Sequence, residues 1–350
     1  MNVIPTYTEA AILVEQKKPL IVDKIELPKN LGLGQVLVEV LASGICGSQI
    51  GEINGVKGED RFLPHLMGHE GCGKVLKIGP GVRTVKVDDI IVLHWRKGSG
   101  IESEPPKYRW KGETLNAGWV TTFNKHAVIS ENRCTTIPSY IKPELAALYG
   151  CAVTTGFGVV ENNANIRIGD SIVVFGAGGI GLNIIQASKM KSAYPIIAVD
   201  IYDNRLKLAK RIGATHIINS RNINAEEEIK NILGENELDI FIDNTGITKI
   251  IELGYRIIKN DGKLILVGVP MKGENISIFS LPLHFGKVIV GSHGGDSIPD
   301  KDIPRYLKLM SNSLLDLGFL ISSRYKLFQI NEAINDMSKG TSAGRIIIDL

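Results

Sequence analysis

The chain has little that would mark it as secreted, fibrous or membrane-bound. Only four cysteines, Cys46, Cys72, Cys134 and Cys151, occur in 350 residues. That is too few for a disulfide framework, so a reducing, cytoplasmic setting is expected and cysteine becomes a candidate metal ligand. No run approaches the ~18 apolar residues that span a bilayer. The opening MNVIPTYTEAAILVEQKKPL lacks a basic segment leading into a long apolar one. The net charge is only +3 and the basic residues are dispersed, so neither a nucleic-acid partner nor a membrane surface is expected. Internal repeats and low-complexity segments are also missing. What remains, 44% hydrophobic and 22% charged residues over a length suited to about two domains, is an ordinary globular composition.

Within it, Ser171–Asp200 organises the rest. Ser171–Phe175 is a short β-branched apolar run and predicts a buried strand. It leads into Gly176-Ala177-Gly178-Gly179-Ile180-Gly181, then a helical pattern carrying Ile184, Ile185, Ala187 and Met190 on one face. A second strand over Pro195–Val199 ends at Asp200, nineteen residues after Gly181. This is the dinucleotide-binding fingerprint. Gly176 permits the turn, Gly178 lets backbone approach a pyrophosphate, and Gly181 lets helix and strand pack closely. The helix N-terminus offers free N–H groups and partial positive charge to phosphates. An empty glycine-rich turn would not need all of these parts in order. Asp200 favours NAD over NADP, because its carboxylate accepts from a ribose hydroxyl and repels a 2′-phosphate.

Before this stretch the chain is rich in short β-like runs, at Ala11–Leu13, Ile21–Ile25, Gln35–Ala42, Gly81–Val92, Val120–Ser130 and Cys134–Ile137. Lys97–Asn116 is polar and turn-rich and reads as a long surface loop. From Asp170, strand and helix alternate through six strands, the last near Lys287–Gly291, which is the doubly wound α/β pattern. Residues 153–293 are expected to form this nucleotide-binding domain. Because it lies mid-chain, residues 1–152 must be completed by the tail, 294–350, into a discontinuous catalytic domain.

Cys46 (in Gly44-Ile45-Cys46-Gly47-Ser48), His69 (in Gly68-His69-Glu70-Gly71) and Cys151 have the chemistry of a three-ligand zinc site with an open fourth position. Spacing alone cannot bring them together, and buried inert thiols explain the cysteines equally well.

The segments GICGS, PHLMGHEGCGKV, LYGCAVTTGFG, FGAGGIGL and INEAINDMSKGTSAGRIII, spread over essentially the whole chain in family order, resemble the zinc-containing alcohol dehydrogenases of the medium-chain dehydrogenase/reductase superfamily. The resemblance implies a GroES-like β-rich catalytic domain built around a central Rossmann domain. It assigns Cys46, His69 and Cys151 as catalytic zinc ligands. Glu70 becomes an acid beside the metal site, Ser48 the hydroxyl that takes the alcohol proton, and Trp95 a wall of the substrate pocket. For the cofactor it implies Gly176, Gly178, Gly179, Ile180, Gly181 and Asp200, with Arg205 beside the ribose and Val269 at the nicotinamide carboxamide. Arg345 is assigned to both the pyrophosphate and Glu70.

Departures from the family are as informative. Gln49 stands where an aspartate often orients the ligating histidine; it can accept an imidazole N–H bond but is neutral. Gly47 and Gly51 lack the basic side chains that often carry the proton outward. Lys97–Asn116 contains none of the four cysteines of a structural zinc site, so one zinc per chain is expected. Cys72 and Cys134 read as core residues. His65 lies four residues before His69, but beside a proline on a loop, where that spacing carries no ligand signal. His94 could face the pocket or the interior. Tyr108, Trp110 and Trp119 suit packing that anchors the polar loop better than a pocket lid.

The implied activity is reversible, NAD-linked oxidation of a primary or secondary alcohol, polyol or sugar derivative to an aldehyde or ketone. A zinc-free quinone or enone reductase, which would lack the ligands, and a non-enzymatic nucleotide-binding relative are the alternatives. A homodimer or homotetramer is implied by the resemblance alone.

Overall fold

The computed structural model describes residues 5–340 and 342–350. The strand–helix alternation produces one parallel sheet of six strands, Ile172–Phe175, Ile196–Asp200, His216–Asn219, Leu238–Asp243, Ile258–Leu266 and Val288–Gly291. Counted in chain order, the strands lie side by side as third, second, first, fourth, fifth, sixth. The central strands Ile172–Phe175, Ile196–Asp200 and Leu238–Asp243 are largely apolar because both their faces are covered. Val173, Ile197, Phe241 and Leu264 are buried with Ile229 and Ile251 from the helices Ala225–Leu233 and Thr248–Ile257. Burying a side chain such as Phe241 contributes about 2–3 kcal/mol. The helix Ala225–Leu233 starts where Asn224 accepts from the N–H groups of Glu226 and Glu227, an N-cap that satisfies two otherwise orphaned donors. Strand order reverses between the first and fourth strands, and a crevice at such a switch point is where doubly wound sheets bind ligands.

The remaining sequence forms a β-rich unit. One sheet runs His65–Leu66, Tyr7–Leu13, Ile21–Glu26, Tyr108–Trp110, Glu113–Leu115. A second runs Cys134–Thr136, Ile90–His94, Glu70–Ile78, Gln35–Gly44, Arg345–Asp349, Ile321–Lys326, with His126–Ser130 also paired to Gln35–Gly44. The tail strand joins antiparallel, Ile348 opposite Ser43 and Ile347 opposite Gly44. By contacts, this unit takes the chain up to Ala152, resumes at Ile298 and includes Arg345–Leu350; the other holds Val153–Ser297 and Ser342–Gly344. Gly294–Ser297 belongs with the nucleotide-binding side because Asn162 Nδ2 donates to the Gly295 carbonyl at 2.8 Å and Gly158 packs on Gly295.

Two readings of the sequence need correction. The alternation Val82, Val85, Val87 is not strand: Asp88 has φ 71° and Asp89 accepts the Lys86 N–H, so residues 79–89 turn and only Ile90–His94 extends. The polar stretch Lys97–Asn116 is not a free loop, because it folds into the paired strands Tyr108–Trp110 and Glu113–Leu115. Glu131 pins its start. One carboxylate oxygen accepts the N–H groups of Arg83 and Thr84, and the other accepts that of Ile101. Burial raises the Glu131 carboxyl, yet these hydrogen bonds outweigh it and hold it below the ordinary glutamate value. No single helix among the described residues is long and apolar enough to cross a membrane.

Candidate functional site

The strand Gln35–Gly44 ends at a turn in which Ile45 N–H bonds to the Ile346 carbonyl of the tail strand. Cys46 then occupies the N-cap of the helix Gly47–Ile53. The GICGS sequence permits this because a Cβ on Gly44 would sit 2.2 Å from Glu70 Oε1. His69 immediately precedes the strand Glu70–Ile78, and Cys151 follows the short 3-10 turn Leu148–Gly150. These separate segments bring the two sulfurs to 3.9 Å, and with a ring nitrogen of His69 the three donor atoms lie within 4.8 Å of one another.

Two thiolates on one tetrahedral zinc, each at 2.3 Å, sit about 3.8 Å apart. The donor set and its spacing therefore fit that ion. The two buried thiols share a proton: the hydrogen bond from Cys151 holds Cys46 well below the usual thiol range, while Cys151 is pushed up by the same contact and by burial.

Glu70 is fully buried, and Arg345, 2% exposed, grips it with Nε at 3.1 Å and Nη2 at 2.9 Å. Burial pushes the Glu70 carboxyl up while Arg345 pulls it back. The two-point contact leaves the ion pair as the form that satisfies both buried groups. Arg345 is thus placed against Glu70, the acid beside the metal-ligand cluster. Ser48 is exposed on the first turn of the Gly47–Ile53 helix, and Trp95 stands edge-on to His69 with ring centroids 6.4 Å apart.

Gln49 departs from expectation. Its Oε1 accepts the Cys46 N–H at 2.7 Å, so the atom 2.6 Å from His69 Nδ1 is the amide nitrogen, a donor. A carboxylate has an oxygen for each partner; an amide has one. His94 resolves to the interior: it is fully buried between the Arg96 carbonyl and Thr135 Oγ1, and burial lowers it to about 4. Cys72 and Cys134 are buried, Cys72 pushed up to about 12 by that burial. Tyr108, Trp110 and Trp119 each hold the polar stretch in place, through Val128 N–H, Asp23 Oδ2 and the Ser103 carbonyl.

In the other unit the three fingerprint glycines differ physically. Gly176 has φ 95°, which favours glycine. A Cβ on Gly181 would meet the Gly176 carbonyl oxygen at 2.0 Å, whereas one on Gly178 would meet nothing within 4 Å. The open space above Gly178 adjoins the start of the helix Gly179–Met190, with Ile180 in its first turn, and suits a pyrophosphate. Asp200 Oδ2 accepts the Ala177 N–H, and Oδ1 accepts those of Ile201 and Tyr202, so this acid also braces the turn. Arg205 Nη1 lies 3.8 Å from Asp200 and its guanidinium stacks on Tyr202. Val269 is 55% exposed beyond the fifth strand.

The sequence reading passed over Asp243. Fully buried at the end of the fourth strand, it accepts from the N–H groups of Thr245 and Gly246 and from Thr245 Oγ1. This fixes the turn from which Asn244 Nδ2 donates to the Gly176 carbonyl. The signal was an acidic residue closing an apolar strand before Asn-Thr-Gly.

A six-stranded doubly wound unit with this fingerprint, joined in one chain to a β-rich unit carrying a Cys–His–Cys cluster, defines a metal-dependent dehydrogenase class. Family models agree: residues 32–139 match the alcohol dehydrogenase GroES-like domain, and residues 179–312 match the zinc-binding dehydrogenase domain. The chain belongs to the zinc-containing alcohol dehydrogenases of the medium-chain dehydrogenase/reductase superfamily. It is 28% identical to an S-(hydroxymethyl)glutathione dehydrogenase of Paracoccus denitrificans, over 97% of this chain and 99% of that one. Among solved structures it resembles an alcohol dehydrogenase zinc-binding domain protein from Burkholderia ambifaria, at TM-score 0.89 and 29% identity over 98% and 99% of the two chains. It also resembles the benzyl alcohol dehydrogenase of Acinetobacter calcoaceticus, at TM-score 0.88 and 28% identity over 98% and 99%. The protein is therefore an oxidoreductase of zinc-dependent alcohol oxidation, with zinc and a nicotinamide dinucleotide as its cofactors.

Proposed function

We propose that this enzyme interconverts a primary or secondary alcohol and its aldehyde or ketone with NAD as the preferred dinucleotide, using one zinc per chain. The observation that carries this reading is the buried Cys46–Cys151 sulfur pair at 3.9 Å with His69 completing the cluster. When bound there, zinc supplies Lewis acidity toward the substrate oxygen, and NAD supplies hydride acceptance.

The chain's own residues do the rest. Ser48, exposed on the turn after Cys46, takes the hydroxyl proton and passes it to water, because Gly47 and Gly51 offer no basic relay. Trp95 walls the pocket beside His69. The Glu70–Arg345 pair sets the charge beneath the ligands. Open space over Gly178 receives the pyrophosphate, and Asp200 discriminates against a 2′-phosphate, although Arg205 close by partly neutralises it. Substitution of Ser48 by Ala should lower kcat by about 10²–10⁴ with zinc content and KM for NAD unchanged; undiminished kcat would remove Ser48 from the proton path.

Several polar groups of Lys97–Asn116 are engaged by other segments, Ser99 by Asp300, Glu102 by Arg133 and Trp110 by Asp23, which favours simple alcohols over sugars. Benzyl alcohol and S-(hydroxymethyl)glutathione, named for relatives, belong in the screen. An NAD-linked screen of aliphatic, aromatic, thiol-adduct, polyol and sugar alcohols on metal-assayed protein decides the class; higher turnover on polyols or sugars would overturn this preference. Four cysteines without disulfides accord with a cytoplasmic location. The partner proposed is a second copy of the chain, as homodimer or homotetramer. The edge strand Val288–Gly291 and the neighbouring Phe279 and Phe285, 70% and 72% exposed, are the surface that would pair.

A further inference from the structure

A second group of metal-ligating side chains lies in the β-rich unit. Glu52 is near the end of the Gly47–Ile53 helix, Asp60 lies in the following turn, and His65 is on the strand His65–Leu66. One donor atom from each lies within 4.8 Å of the other two. The imidazole is buried, 7% exposed, and its environment is chemically specific. Nδ1 is 2.9 Å from the Leu66 carbonyl, which can only accept, so Nδ1 carries a proton. Nε2 lies 2.8 Å from Asp60 Oδ2 and 3.8 Å from Glu52 Oε1, where it either donates a proton to Asp60 or, deprotonated, offers its lone pair to a metal ion.

Two carboxylates facing one buried imidazole nitrogen favour positive charge between them, as a proton or as a metal ion. A proton on Nε2 would serve Asp60 and leave Glu52 beyond hydrogen-bond reach. A divalent ion about 2.0–2.2 Å from each donor serves all three. A backbone carbonyl fixing the outer imidazole nitrogen is the support that metal-binding histidines commonly have.

The surroundings hold the donors in place. Asp60 Oδ1 accepts the Phe62 N–H at 2.9 Å. Gln16 accepts the Asp60 N–H through Oε1 and donates through Nε2 to the carbonyls of Gly58 and Glu52, at 3.1 and 3.4 Å. One side chain thus ties the helix end to the turn. The Glu52 carboxylate, 43% exposed, leaves the cluster open to solvent on one side.

We infer that Glu52, Asp60 and His65 form a second metal site, for a divalent transition ion, separate from the Cys46–His69–Cys151 cluster. One imidazole and two carboxylates suit Zn²⁺, Co²⁺, Ni²⁺ or Mn²⁺ better than all-oxygen Mg²⁺ or Ca²⁺ sites, or the thiolate sites of Cu⁺. Occupancy would clamp the far end of the helix that begins at Cys46 to the strand that leads toward His69.

The test uses the whole, zinc-loaded protein, freed of loosely held metal on a chelating resin and titrated with Co²⁺. Bound metal should rise from one to two per chain. The added cobalt should give visible d–d bands without the near-ultraviolet thiolate charge-transfer band that binding at the cysteine pair would produce. Glu52→Gln and His65→Gln should each weaken the added site at least about tenfold while keeping the first zinc. Glu52, half-exposed, provides the variant least able to disturb folding. No second ion at millimolar Co²⁺, Ni²⁺ or Zn²⁺, or a second ion indifferent to Glu52→Gln, would overturn the proposal and leave an Asp60–His65 ion pair.

Discussion

Gln49 has one oxygen, taken by the Cys46 N–H, so it turns its amide nitrogen rather than an acceptor to His69 Nδ1. Gln49→Glu keeps the length of the side chain and adds the missing acceptor. It should tighten zinc binding about 10–100-fold, read by competition with a chelator; unchanged affinity would show that His69 is oriented by other means. His94 makes a prediction in pH. Its burial lowers it from the ordinary 6.5 to about 4. Between those values the unfolded chain binds a proton that the native state refuses, so stability rises with pH across that window, by about 3 kcal/mol in all. Urea midpoints should fall steeply as pH drops through it, and His94→Gln, which cannot charge, should flatten the decline. Residue identities such as Cys46, His69 and Cys151 were legible in the sequence as chemistry. Their convergence was not, because it depends on three turns from distant segments. The competing demands on Gln49 were invisible for the same reason: a hydrogen-bond partner is a fact of geometry.

Among elements, the strand–turn–helix at Ile172–Met190 was the most legible, since a β-branched run, glycines at fixed offsets and an amphipathic helix all agree. The glycines now separate by function. Gly178→Ala, with ordinary φ and open space around the new methyl, should leave the melting temperature unchanged while raising KM for NAD at least about tenfold. Gly181→Ala, its methyl 2.0 Å from a backbone carbonyl, should destabilise the fold instead, by about 1–3 kcal/mol. Equal melting temperatures for the two variants would contradict that division. The β-rich elements were harder to read. Val82–Val87 alternates like a strand yet turns, because Asp89 and Glu131 take the backbone N–H groups that a ladder would have used. The strand Ile321–Lys326 escaped notice because its partner, Arg345–Asp349, pairs with it in parallel across an intervening helix.

For the whole molecule, the exposed apolar residues beside Val288–Gly291 predict self-association through that edge. Phe285→Glu should halve the sedimenting mass, or reduce it to the monomer, without loss of the parallel sheet; an unchanged oligomer would place the interface elsewhere. The tail strand has a different consequence, one of timing. Arg345 meets Glu70 from 275 residues further along the chain, and Ile346 fixes the turn that presents Cys46. During synthesis Val153–Ser297, the bulk of the nucleotide-binding unit, emerges and can fold while the metal-binding unit still lacks the strand that closes it. The turn that presents Cys46 must therefore wait for Ile346 before it is held in place.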